Sequence, residues 1–287
     1  MNKAMKILVT GSNGQLGMCI KDLEKNYPNY IFHFKNSKEL DITKEDEIET
    51  LFLGEDYDFC INCAAYTAVD NAEEDEEQAF LVNAEAVKYL AKACKLYHTV
   101  LIHISTDFVF DGKTSKPYTE EDIPNPISVY GMSKLKGEQY VQQYLTSFFI
   151  IRTSWVYSKH GNNFVKTMLR LGNERKEISV VNNQFGSPTY APDLAEFILK
   201  ICNSNNRLFG IYNFSNEGEI SWYDFAKKIF SLNNSKIKLT GIPSSEYKTP
   251  AERPEYSILN KTKIKSNFGT PINNWKVSLK KHFLNED

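Results

Sequence analysis

The sequence has no surplus of charge: 34 Lys and Arg stand against 36 Asp and Glu in 287 residues, a formal net charge of −2. That balance gives no electrostatic case for nucleic acid or an anionic membrane, so a small molecule becomes the default partner. No apolar run reaches membrane-spanning length, and the opening M-N-K-A-M-K-I-L-V-T-G holds too short a hydrophobic stretch for a signal peptide. A cytoplasmic location is therefore expected. Cysteine is scarce and odd in number, at Cys19, Cys60, Cys63, Cys94 and Cys202. Cys60 and Cys63 form a C-x-x-C inside Y-D-F-C-I-N-C-A-A, which reads as a buried strand, so they are taken as small hydrophobes and not as a redox pair or metal ligands. The chain has neither G-x-S-x-G nor H-E-x-x-H, which removes the serine hydrolase and zinc enzyme readings. It also has no internal repeat, low-complexity tract or flexible linker.

What is present begins with strand, glycine turn and helix. Residues 5–10 (M-K-I-L-V-T) read as a buried strand, followed by G-S-N-G-Q-L-G and a helix with Leu16, Ile20 and Leu23 at helical spacing. Gly11, Gly14 and Gly17 permit a tight turn, close backbone approach to a pyrophosphate and close packing of helix on strand, with phosphate at the helix amino terminus. With 14 glycines in the chain, chance would supply this pattern only about 0.03 times. Further strands are expected at 30–35, 58–63, 100–106 and 148–153, with helices between them, including 43–52 and 128–144. Five such βα units point to an α/β fold, a doubly wound parallel sheet of Rossmann type. Beyond Trp155 the rhythm breaks. The expected division is a dinucleotide-binding domain over 1–155, completed by part of 190–232, and a smaller, less regular substrate-binding portion over 156–287.

The tip of the second strand offers Lys35, Asn36 and Ser37 where NAD-selective folds place a carboxylate, which favours tolerance of NADPH, although Lys35 could equally be a solvated loop charge. After the third strand, Ala64 and Ala65 would let a flat cofactor lie against the backbone, or could be simple packing. The acidic run D-N-A-E-E-D-E-E-Q opens a long helix and suits its amino terminus better than a metal.

Tyr130 and Lys134 lie four apart on one helix face, after a strand ending in Ser105, Thr106 and Asp107. The spacing alone is weak, since roughly 1.6 such pairs are expected by chance and a second occurs at Tyr223 and Lys227. Behind a glycine cradle, the set suggests hydride transfer to or from a carbonyl. Tyr130 would be the proton donor, Lys134 would lower its pKa and could anchor the nicotinamide ribose, and Thr106 would bind the carbonyl oxygen.

The motifs G-S-N-G-Q-L-G, A-A-Y-T-A-V-D, S-T-D-F-V-F-D-G, V-Y-G-M-S-K, R-T-S-W-V-Y, G-N-N-F-V-K-T-M-L, Q-F-G-S-P-T and T-P-A-E-R-P stand in this order across nearly the whole chain. In this the sequence resembles the dTDP-4-dehydrorhamnose reductases, extended short-chain dehydrogenase/reductases. The resemblance implies reduction of a dTDP-linked 4-keto sugar by NADPH, with NADH possible. It implies Thr106, Tyr130 and Lys134 as catalytic residues, Gly14, Gln15 and Leu16 at the pyrophosphate, Asp41 and Ile42 on the adenine side, and Ala65, Tyr66 and Thr67 by the nicotinamide. Thr106, Asp107 and Trp155 match sugar-nucleotide contacts, as do Asn163, Gln184 and Arg253 from the second half, where Arg253 could meet diphosphate oxygens. Some members dimerise around Mg²⁺ held by glutamates, one of them just after the third glycine. Met18 and Cys19 stand there in this chain, neither a hard oxygen ligand, so no metal is expected and a homodimer is left open. A reductase or epimerase of another nucleotide-linked 4-keto sugar is the near rival. A non-catalytic regulatory subunit like that of methionine adenosyltransferase is the distant one.

Overall fold

The computed structural model describes residues 4–204 and 207–284. Its centre is a six-stranded parallel sheet built from β1 (Met5–Thr10), β2 (Tyr30–Lys35), β3 (Phe59–Asn62), β4 (Val100–Thr106) and β5 (Phe148–Thr153), with Gly210–Asn213 added beside β5. The spatial order is β2-β1-β3-β4-β5 and then Gly210–Asn213. The chain leaves β1 toward one edge and returns to its other side, so the direction of winding reverses between β1 and β3.

Alternation along these buried strands sorts the core into two layers. Ile7, Val9, Phe59, Ile61, Ile102, Phe149 and Ile151 pack under helices Gln15–Leu23, Ala191–Asn203 and Thr262–Phe268. Leu8, Cys60, Leu101 and Ile150 face the other way, toward helices Glu45–Leu53, Ala86–Leu96 and Val129–Tyr144. Side chains of successive strand residues point to opposite faces, so near-continuous apolar strands are what a sheet covered on both sides requires.

The rest of the second half has its own small core. Tyr157, Val165, Met168, Phe225, Ile229 and Trp275 pack together, roofed by Glu177–Val181 paired in parallel with Lys238–Ile242. Among the described residues no helix is long and apolar enough to cross a membrane.

One element departs from the sequence reading. The single long helix expected after the acidic run is broken into Glu76–Phe80, a π-turn at Leu81–Glu85 and Ala86–Leu96. The π-turn carries Asn83, a fully buried side chain, and such wide turns recur at functional sites.

Candidate active site

The carboxyl ends of β1 and β3 meet where the winding reverses, which is where open parallel sheets take ligands. Gly11 turns the chain there with φ +63, and a side chain on it would lie 2.5 Å from the backbone nitrogen of Ala64. Helix Gln15–Leu23 starts at Gly14 with no side-chain cap, leaving first-turn amides available to a phosphate. Gly17 packs against the backbone of Gly11 and Ser12, within 3.0 Å of any added Cβ, and Leu16 is buried behind it. The residues present thus fit a dinucleotide.

Other residues expected around that cradle lie along its rim. Asp41 accepts from the backbone and hydroxyl of Thr43, at 3.1 and 2.7 Å, beside buried Ile42. At the tip of β2, Glu39 folds back so that its carboxylate accepts from the Asn36 amide at 2.9 Å. The tip therefore does carry an acid, borrowed from three residues onward, which the strand's own sequence did not reveal. Ala65 and Tyr66 are half-buried and Thr67 is exposed. Their loop is fixed by Asn83, which accepts from the Tyr66 amide at 2.9 Å and donates to its carbonyl at 3.0 Å.

Thr106 ends β4, and its hydroxyl accepts from the Phe108 amide at 3.2 Å and donates to Asp107 Oδ1 at 3.1 Å, on the side of the site where it lowers the Tyr130 phenol. Tyr130 comes from the first turn of helix Val129–Tyr144, capped by the Ser128 hydroxyl. Two glycines let that helix approach its neighbours: a Cβ on Gly131 would meet the Phe108 carbonyl oxygen at 2.2 Å, and one on Gly137 the Asn83 carbonyl oxygen at the same distance.

Burial pushes the Tyr130 phenol up to about 12, the Thr106 bond draws it partly back, and the Asp107 carboxylate raises it again. Lys134 is buried, and burial lowers its ammonium to about 8. Its Nζ donates to the Ile104 carbonyl at 2.7 Å and lies 3.5 Å from His103 Nε2. The Ile104 carbonyl thus fixes the Lys134 amine on β4, one helical turn from Tyr130.

Sequence reading missed the polar groups behind these residues. One turn below Lys134, Glu138 holds Arg152 of β5 through two bonds of 2.6 and 2.9 Å and accepts from Ser105 at 2.5 Å, all buried. A carboxylate four residues after the lysine and an arginine inside an apolar strand were the available signals, because neither is buried unpaired.

The second half adds a cavity of about 930 Å³, whose lining includes Phe108, Trp155, Gln184, Trp222, Arg253 and Ser257. Phe108 meets the Tyr130 ring edge-on, with centroids 5.6 Å apart. Asp107 is buried close by, accepts from the Thr106 hydroxyl, and burial pushes its carboxyl up to about 6. Its Oδ2 has no hydrogen-bond partner among the described residues. Trp155 takes φ +47 and stacks on Trp222 with centroids 3.4 Å apart. Gly186 makes room beneath it, since a Cβ there would fall 2.4 Å from the indole.

Two residues expected at the substrate also hold loops together. Arg253 donates to Asp70 at 2.8 Å and to Thr249 at 2.6 Å, fastening T-P-A-E-R-P to the loop after β3. Asn163 is the cap of helix Phe164–Glu174 and donates to Gln15 Oε1 at 2.9 Å, so it steadies the glycine loop and is not part of the cavity lining. Arg170 and Arg175, exposed at the cavity, were not anticipated.

Residues 5–286 match the family model described as RmlD substrate binding domain. The dTDP-4-dehydrorhamnose reductase of Aggregatibacter actinomycetemcomitans is 39% identical over 285 residues, 96% of this chain and 97% of that protein. The chain belongs to the dTDP-4-dehydrorhamnose reductase family. The Escherichia coli K12 reductase is 38% identical over 293 residues, covering 98% of each chain. The crystal structure of a Bacillus anthracis dTDP-4-dehydrorhamnose reductase in complex with NADP superposes with TM-score 0.94 at 41% identity, over 98% of this chain and 99% of that one. Among the described residues no group of three or more His, Cys, Asp or Glu is placed to hold a metal ion.

Proposed function

We propose that this chain reduces dTDP-4-dehydro-β-L-rhamnose to dTDP-L-rhamnose, with residues 1–155 and the strand 210–213 holding NADPH and residues 156–287 forming most of the sugar-nucleotide site. NADPH, when bound, supplies the hydride that the sugar's C4 receives. Gly11, Gly14, Gln15, Leu16 and Gly17 would hold its pyrophosphate, Asp41 and Ile42 its adenine side, and Ala65, Tyr66 and Thr67 its nicotinamide side.

The chain's own residues then manage one proton. Charge develops on O4 as the carbonyl is reduced; Tyr130 gives its phenolic proton to that oxygen, and the Thr106 hydroxyl holds it in place. A phenol at about 12 stays protonated through the neutral range, which suits a donor to a stronger base, the alkoxide. Lys134, anchored on Ile104, places a cation beside the oxygen that Tyr130 leaves charged and can meet the nicotinamide ribose. Asp107 and Trp155 lie where the sugar would sit, with Gln184 and the Arg253 loop on the nucleotide side. Balanced charge supports leaving nucleic acid and membranes out as partners.

The observation that carries this reading is the placing of Thr106 at the carboxyl end of β4 and Tyr130 in the first turn of helix Val129–Tyr144, against Phe108 of the cavity wall and on the same sheet edge as the uncapped glycine loop. The test mixes purified protein, NADPH and enzymatically generated dTDP-4-dehydrorhamnose and follows nicotinamide absorbance. Oxidation by wild type that Tyr130→Phe abolishes is expected; no oxidation, or equal rates, overturns it. UDP-linked keto sugars in the same assay separate the near rival. Running NADPH and NADH in the same assay measures the cofactor preference.

A further inference from the structure

Beneath Lys134 a line of buried polar side chains crosses three strands: Thr10 at the end of β1, Asn62 at the end of β3 and His103 in β4, all buried. The Thr10 hydroxyl donates to Asn62 Oδ1 at 2.7 Å, and the Ala64 amide reaches the same oxygen at 3.2 Å. Asn62 Nδ2 lies 3.1 Å from His103 Nδ1, and His103 Nε2 lies 3.5 Å from Lys134 Nζ.

The direction of these bonds can be assigned from one fixed point. A backbone amide only donates, so the atom of Asn62 that Ala64 meets must be the oxygen. The other end of that amide is therefore the NH₂, which also only donates. It faces Nδ1, so Nδ1 must be the bare acceptor nitrogen. A neutral imidazole then carries its proton on Nε2 and aims an N–H at Lys134. His103 is held neutral, because burial drives its pKa well below the ordinary histidine value.

We propose that Asn62 and His103 form a one-way donor chain ending on the Lys134 amine, which makes His103 a positioning residue that favours release of a proton from Lys134. An N–H directed at an ammonium is repelled by it, whereas the same N–H is accepted by the lone pair of the free amine. The Glu138 carboxylate on its own helix, itself paired with Arg152, opposes this pull, while the Cys63 thiol just after β3 is pushed up by burial and stays neutral. His103 cannot take the proton, since Nε2 is occupied and Nδ1 is blocked by the Asn62 amide. The proton can go only outward. After Tyr130 has given its proton to the sugar, an N–H bond of the Lys134 ammonium breaks and, relayed by a water whose own O–H bond breaks in turn, an O–H bond forms on the phenolate, leaving a neutral amine that His103 supports until solvent restores it. This use of the chain rests on the reductase reading; the tautomer itself does not.

The decisive measurement is ¹⁵N NMR of the full-length protein labelled in histidine. The His103 signals are identified by their loss in His103→Gln or, should that variant not fold, by substituting His33, His98, His160 and His282 in turn. At neutral pH a proton on Nε2 and none on Nδ1 is expected; the Nδ1–H tautomer or an imidazolium overturns the proposal. In Asn62→Asp the carboxylate must accept from Nδ1, so the tautomer should switch to Nδ1–H, Nε2 should accept from the ammonium, and the basic limb of kcat/KM should move up by about one pH unit. A switched tautomer with an unmoved limb sinks the link to Lys134. If NMR finds the Nε2–H form but dTDP-4-dehydrorhamnose is not reduced, the substrate assignment alone has failed.

Discussion

The two halves of the chain hold their functional groups by opposite means. In the sheet half, Thr106, Tyr130 and Lys134 come from the end of a strand and one face of a helix, and each is backed by other polar side chains: Asp107 at Thr106, His103 at Lys134, Glu138 and Arg152 one turn further on. At the boundary with the second half and within it, Trp155, Gln184 and Arg253 come from loops, where Trp155 is held by a ring stack and Arg253 by a partly exposed ion pair. Under the proposed function, rigid elements would fix the reacting atoms, while loops would carry the groups that choose the sugar nucleotide. Damage to the first set should therefore appear in kcat or in stability, and damage to the second in KM.

The largest effect is expected from Tyr130→Phe, which removes the proton donor and leaves the ring. A loss of kcat of about 10²–10⁴-fold is the usual range for general acid catalysis. NADPH binding, followed by nicotinamide fluorescence, should stay close to wild type, because the glycine loop is untouched. A variant that keeps kcat would place the proton source elsewhere.

Next in size is the support beneath the site. Glu138→Ala strands the Arg152 guanidinium in the core, and breaking a buried pair from one side costs about 3–5 kcal/mol. Urea unfolding measures it. Arg152→Met added to Glu138→Ala should recover much of the loss, since the uncompensated charge is then gone. Equal losses in the single and double variants would mean that the pair acts through packing and not through charge.

Legibility in the sequence followed the same division. The glycine turn and the five strands could be read because buried parallel strands are short apolar runs punctuated by turn residues, and the Tyr-Lys pair gained meaning from the strand before it. Asn83 could not be read, because nothing in L-V-N-A-E announces a π-turn inside a helical run. Nor could the Arg253–Asp70 bond, whose partners stand 183 residues apart. Asn163 shows a further limit: the motif marked it as important, but only the packed structure shows that its amide turns toward Gln15. Glu39 was overlooked because a local turn carries it back to the strand tip.

Asp107 supplies a smaller effect that depends on pH. Its carboxyl is raised in the folded chain to about 6, whereas an unfolded Asp titrates near 3.9, so the native state binds the proton more tightly. Stability from this group is therefore present at low pH and lost as pH rises from about 4 through about 6, by at most about 3 kcal/mol. Thermal unfolding of wild type and Asp107→Asn should show wild type gaining on the variant as pH falls through that window. A constant difference would mean that the carboxylate is stabilised by a partner, its lone Oδ2 included.

The smallest effect belongs to the loop half. Arg253 is partly exposed, with a quarter of its side-chain surface open, and solvent screening keeps its bond to Asp70 modest. Arg253→Ala should therefore leave the fold nearly as stable as before. It also frees T-P-A-E-R-P from the loop after β3 and removes a cation from the cavity wall, so KM for the sugar nucleotide should rise on the order of tenfold, about 1.4 kcal/mol. Asp70→Asn separates the two causes. It loosens the loop and leaves the guanidinium in place, so a rise in KM as large as that of Arg253→Ala would assign the effect to the clamp. A KM unchanged or lowered would assign it to the cation, now free to meet the diphosphate. A fall in kcat with KM unchanged in Arg253→Ala would break the division itself, because a loop residue would then be acting on the chemistry of Tyr130.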